Sequence, residues 1–142
     1  MKAPIKLVYV AGPYRAETAF NVSQHIALAR DRAAEVVMSG AYPIVPHACT
    51  AFMDGLAPDE LFLEGAREAM LRCDEVWLCR GWEYSHGSRE EVFEALRWPL
   101  PVILPDGEPL TMMAFEDLLA KSAPLHLQAL TGLPVESLVG AG

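Results

Sequence analysis

The sequence predicts an α/β protein: a three-layer α/β/α sandwich around a parallel sheet of four to five strands. Three observations predict it. Short runs of β-branched and apolar residues alternate with amphipathic helical stretches along most of the chain. No internal repeat, low-complexity tract or linker breaks that alternation. The 142 residues are 52% hydrophobic and 21% charged, which supplies the apolar material for one core. Strands that alternate with helices pair in parallel through right-handed crossovers, a flavodoxin-like or Rossmann-like layout.

Each element follows from its local pattern. "IKLVYVAG" is a buried first strand, stopped by Gly12-Pro13. In the helix after it, Val22, Ile26, Ala29, Ala33 and Val36 recur at steps of three and four and make one apolar stripe. Gly40 sits where a C-terminal cap belongs. "YPIVP" is a second strand kept short by its prolines. "HACTAFMDGLAP" reads as a loop. Pro58-Asp59 opens a helix over 59–72, with Leu61, Leu63, Ala66, Met70 and Leu71 as its apolar positions. "DEVWLC" is a third strand, and "RGWEYSHG" is a loop rich in aromatic and polar groups. A helix is expected over 88–98 with Val92, Ala95 and Leu96 on one face. "LPVILP" is a fourth strand and "LTMMAFEDLLAKS" a further helix. The whole chain, 1–142, is read as a single domain whose Leu-rich tail, from about residue 124, is peripheral and frays at "VGAG".

Charge and composition exclude several functions. Eleven basic residues stand against nineteen acidic ones, a net charge of −8, and no basic stripe is visible for nucleic acid. A local phosphate site needs only one arginine and a few N–H groups, so it stays open. No apolar run reaches the roughly 18–20 residues that span a bilayer. The apolar part of the first segment is too short for a signal core, so a cytoplasmic protein is expected. Cys49, Cys73 and Cys79 form no CxxC pair and are expected as reduced thiols, with Cys73 and Cys79 in the core. No HExxH, Walker loop or GxGxxG occurs, and His47-Ala48-Cys49 lacks further ligands at metal spacing. Neither a metal nor a cofactor is expected.

In sheets of this kind the ligand lies at the carboxyl ends of the strands. That rule selects "AGPYR", "PHACTAFMD" and "RGWEYSHGS". Glu91, just beyond the third segment, has two readings. Ser88-Arg89-Glu90-Glu91 fits S-x-x-E, a capping box in which Ser88 starts the helix and Glu91 reaches back to it. Alternatively, Glu91 faces the ligand crevice. Gly87 then admits a ligand close to the backbone, and the N–H groups of Ser88 and Arg89 receive an anion. A carboxylate there can attack a sugar carbon or stabilise an oxocarbenium ion. His47 could contact or protonate a base, His86 sits in the site loop, and Trp82 and Tyr84 could stack on a base, although such residues also serve purely structural ends.

Two segments in order, "VYVAGPYR" and "CDEVWLCRGWEYSHGSREEVFEA", with "GAYPIVPH" between them, resemble the nucleoside 2-deoxyribosyltransferase-like family, which includes 2-deoxynucleoside 5′-monophosphate N-glycosidases. The likeness covers roughly residues 5 to 103. It implies that Glu91 is the nucleophile, that Tyr9 is the active-site tyrosine orienting it, and that Arg15, three positions after Gly12, binds phosphate. Six residues before the nucleophile, the transferases tend to carry an aspartate and the monophosphate hydrolases a serine; this chain has Ser85. The expected substrate is therefore a small-molecule nucleotide, or a nucleoside, hydrolysed at the base–sugar bond. Transfer between bases and a non-catalytic nucleotide-sensing module are the alternatives. The family's leaving-group aspartate falls near Ala66, a departure from its pattern; Glu64, Arg67 and Glu68 lie nearby and the acids Asp54 and Asp59 precede them, but none occupies the expected position. The family's habit of dimerising, with the apolar tail and "TMMAF" helix, implies a homodimer or larger.

Overall fold

The computed structural model describes residues 3–131, with side chains described for residues 3–121. The predicted fraying of "VGAG" lies outside these residues. The chain divides into two compact units, one ending at Pro109 and the other beginning at Leu110. The first holds β1 (Leu7–Ala11), α1 (Ala19–Met38), β2 (Tyr42–Ile44), α2 (Pro46–Cys49), α3 (Asp59–Leu71), β3 (Glu75–Leu78), a 3-10 turn (Trp82–Tyr84), α4 (His86–Arg97) and β4 (Val102–Ile103). The second contains α5 (Met112–Thr131). The architecture is a three-layer α/β/α sandwich on a four-stranded parallel sheet of order β2-β1-β3-β4. Among the described residues no helix is long and apolar enough to cross a membrane.

Strand order explains where a ligand belongs. From β1 the chain steps outward to β2, then crosses back to β3 on the other side of β1. The reversal lies between β1 and β3, whose register pairs Tyr9 with Val76 and Ala11 with Leu78. In open sheets of this kind the loops leaving two such strands turn to opposite faces, which makes this carboxyl edge the place where a ligand belongs.

The period of two along β1 sorts its side chains. Val8 and Val10 join Ala29 and Val36 of α1 and Cys79 in one apolar cluster. Each such valine contributes about 1.5–3 kcal/mol by leaving water. Tyr9, between them, points to the opposite face and is fully buried.

Local chemistry sets the helix ends. Thr18 caps α1 by accepting from the Asn21 N–H at 3.1 Å. Gly40, just past its end, takes φ +91°, the left-handed turn that glycine allows.

Three expectations change. The segment read wholly as a loop after β2 contains α2, nucleated by Pro46 at the first helical position. On α3, Leu61 and Leu63 are exposed, whereas Phe62, Ala66 and Met70 turn inward at steps of four. Helix α4 begins at His86, two residues early, because Ser85 and not Ser88 is its cap.

Candidate active site

Tyr9 and Glu91 form the centre of the site. Tyr9 reaches it because β1 turns alternate side chains to alternate faces. Glu91 reaches it because α4 buries Ser88, Val92 and Ala95, and Glu91 lies on the same inward face. Glu91 is half-buried, and the Tyr9 hydroxyl donates a hydrogen bond to its Oε2. A buried phenol needs a partner, and this carboxyl is it.

The capping-box reading of Glu91 does not hold. The Ser85 hydroxyl accepts from the Ser88 N–H at 3.2 Å, and the Ser85 carbonyl accepts from the Arg89 N–H at 3.0 Å. With the helix starting at His86, Glu91 sits in its second turn, beyond reach of a first-turn cap. The same bonds occupy the Ser88 and Arg89 N–H groups expected for an anion. The Gly87 N–H is not part of that cap, and Gly87 is exposed with nothing near the place of a Cβ.

Burial dominates the electrostatics. It pushes the Glu91 carboxyl up to about 7; the Tyr9 hydrogen bond opposes the shift and the Glu90 charge adds to it. The Tyr9 hydroxyl rises well above its ordinary value, through burial first and the Glu91 charge second. Burial also lifts the Cys79 thiol to about 11, which keeps it an inert thiol.

The other expected site residues are placed as follows. Gly12 is packed so closely on Cys79 that a Cβ there would lie 2.7 Å from the cysteine Cβ. Its glycine is required by the approach of two strand ends. Arg15 is exposed and pairs with Asp59 of α3 at 3.0 Å. The Ser85 oxygen accepts the cap bond, which leaves its own hydrogen to donate. The Ser88 hydroxyl is buried and has no hydrogen-bond partner. His47, on α2, has its ring 5.3 Å from that of Tyr14, and its Nδ1 is buried without a partner. Burial, followed by the charge of His25, lowers His47 to about 4, against a smaller opposing pull from the Gly12 backbone. Trp82 is 4% exposed and belongs to the core, whereas Tyr84 is open to solvent. His86 pairs with Glu90 at 2.9 Å on the outer face.

The chain matches a family defined as a domain of unknown function, DUF7768, over residues 6–104. It belongs to the DUF7768 family. The matched span of this DUF7768 chain runs from just before β1 to just past β4, so it carries the whole sheet, Tyr9 and Glu91. No curated protein and no solved structure matches the chain. Among its described residues, no group of three or more His, Cys, Asp or Glu side chains could hold a metal ion.

Two residues of the DUF7768 chain escaped the sequence reading. Arg32 is buried on α1. It donates from Nε to the Leu78 carbonyl at 3.0 Å and from Nη2 to the Leu104 carbonyl at 2.7 Å. It also pairs with Glu35 and stacks over Trp77 at 4.8 Å. Arg32 thereby ties the ends of β3 and β4 to α1. Its place three residues after Ala29, on the apolar stripe, was the available signal. Tyr14 carries four contacts from the exit of β1. Besides its ring contact with His47, its carbonyl meets His25 Nδ1 at 3.0 Å. Its hydroxyl accepts from the Phe52 N–H at 3.0 Å and reaches Asp54 Oδ1 at 3.4 Å.

Proposed function

We propose that the protein is an N-glycosidase of (deoxy)nucleoside 5′-monophosphates with Glu91 as nucleophile. The observation that carries this reading is a carboxyl bonded to a buried tyrosine hydroxyl at the switch point of the sheet, where burial pushes it up to about 7. The ionised Glu91 oxygen attacks the anomeric carbon. The base leaves with the bonding electron pair and takes a proton from water. Water then hydrolyses the glycosyl ester and frees Glu91. Tyr9 aims the carboxylate through its hydrogen bond. Ser85, with its spare hydrogen, and the Gly87 N–H lie at the start of α4, where a helix favours a phosphate. The resemblance of "VYVAGPYR" and "GWEYSHGSREE" to the nucleoside 2-deoxyribosyltransferase-like family supports the same reading, and transfer to a second base is its close variant.

A second reading, a nucleotide-binding module without turnover, is favoured by the partners of the acids near Ala66. Asp59 pairs with Arg15, Glu68 with Arg72, and Asp54 with the Tyr14 hydroxyl. Three of the four acids near that place are thus engaged, and Arg15 is held by Asp59. His47, kept neutral, can accept or donate a hydrogen bond to a base edge but is a poor acid at neutral pH. Incubation with a panel of nucleotides and nucleosides, scanned for free base, tests the proposal. Base release that disappears in Glu91→Gln supports it. Binding without release selects the module, and neither binding nor release rejects both.

A further inference from the structure

The segment between α2 and α3 carries two costs with no visible return to the fold. Phe52 holds φ +58°, the left-handed region that bulky residues rarely adopt. The residue is 60% exposed, so burial offsets little of that strain. Met53 and Leu56 beside it are 40% and 80% exposed, and Gly55 turns the chain at φ +88°. Strained backbone persists only where the surroundings hold it. Here the holding group is Tyr14, whose hydroxyl takes the Phe52 N–H and reaches Asp54. Tyr14 in turn packs on His47, and His47 adjoins the Gly12 backbone at the exit of β1. One tyrosine therefore ties an apolar loop to the carboxyl edge of the sheet.

We infer that Phe52 is a ligand-contacting residue: its ring covers the planar base of a nucleotide held at that edge, and the Tyr14 hydroxyl is the latch that keeps the loop in place. The inference rests on the nucleotide reading above. A base is the occupant that fits, because an exposed aromatic residue offers a stacking face and the loop is chained to the carboxyl edge by Tyr14 and His47.

Phe52→Asn separates ligand contact from fold support, since asparagine tolerates the left-handed backbone and lacks the ring. In the Glu91→Gln background, which prevents turnover, calorimetry with dAMP should show affinity lower by roughly five- to a hundredfold. The urea midpoint should stay level or rise. A lower midpoint with unchanged affinity would mean that Phe52 serves the fold, and overturns the inference. Unchanged affinity together with a lower mass in light scattering assigns the loop to self-association and overturns it as well. If dAMP and the other three deoxynucleoside monophosphates all fail to bind the parent, the nucleotide reading and this inference fall together. Tyr14→Phe tests the latch: it keeps the ring against His47 and removes the hydroxyl. Hydrogen exchange at the Phe52 N–H should accelerate and dAMP affinity should fall; unchanged exchange refutes the latch.

Discussion

Tyr9 and Tyr14 lie five residues apart, and each sits beside an ionisable group whose titration the fold has altered. Tyr9 holds Glu91, whose carboxyl is lifted to about 7; Tyr14 packs on His47, whose ring is lowered to about 4. Burial has the same effect on both: it favours the uncharged form. The consequences differ because a neutral acid still carries its proton and a neutral imidazole has lost one. Near pH 7 Glu91 exchanges a proton readily, whereas His47 stays neutral. The difference separates a group suited to chemistry from one suited to contact, within a single edge of the sheet.

The contrast is broken most directly at Glu91. Glu91→Gln should lower base release about a thousandfold or more, while His47→Asn should lower it about tenfold or less through weaker binding. Equal losses from the two substitutions would erase the distinction. Tyr9→Phe removes a hydrogen bond to a charged group, a loss of roughly tenfold to a hundredfold in kcat/KM. Because that bond holds the Glu91 carboxyl down, the midpoint of the rising limb in the pH–rate profile should move above 7. A midpoint that stays put or falls would show that Tyr9 does not tune Glu91.

Stability should report the same pair with opposite signs. Glu91 has a folded value above its unfolded one, so the stabilisation its proton provides is complete below about pH 4.5 and is lost as pH rises through about 7. Glu91→Gln should therefore raise stability by about 1–2 kcal/mol at pH 8, with little change near pH 4, in urea unfolding. His47 is depressed, so its contribution is present above about pH 6.5 and is lost as pH falls through about 4. His47→Asn should flatten that acid limb. The smallest effects concern the helix start. Ser85→Ala should cost about 1 kcal/mol by loss of the cap. Ser88→Ala, which removes a buried hydroxyl without a partner, should cost nothing or stabilise slightly. The reverse order would restore Ser88 as the cap.

Much of this molecule was legible from local pattern. The β1 run and its stop at Gly12-Pro13, the α1 stripe, the Gly40 turn and the inward positions Val92 and Ala95 all follow from periodicity and turn chemistry. The same patterns misled where two local solutions compete. Ser85 and Ser88 are both plausible caps, and S-x-x-E favours the second. The first is used because α4 turns Ser88 inward beside Val92 and Ala95, a face that only packing defines. On α3, Leu61 and Leu63 are as apolar as Phe62, but only Phe62 shares a face with Ala66 and Met70. Arg32 looks like an exposed helix residue until its guanidinium finds the carbonyls of Leu78 and Leu104, 46 and 72 residues away.

Local pattern alone set the alternation of strands and helices, the parallel pairing and the edge at which polar and glycine residues gather, because short-range periodicity and turn preference govern these. Tertiary structure decided that Glu91 meets Tyr9, that Arg15 meets Asp59, and that Glu91 and His47 titrate far from their ordinary values. Those outcomes depend on burial and on partners up to 82 residues apart, which local pattern does not encode.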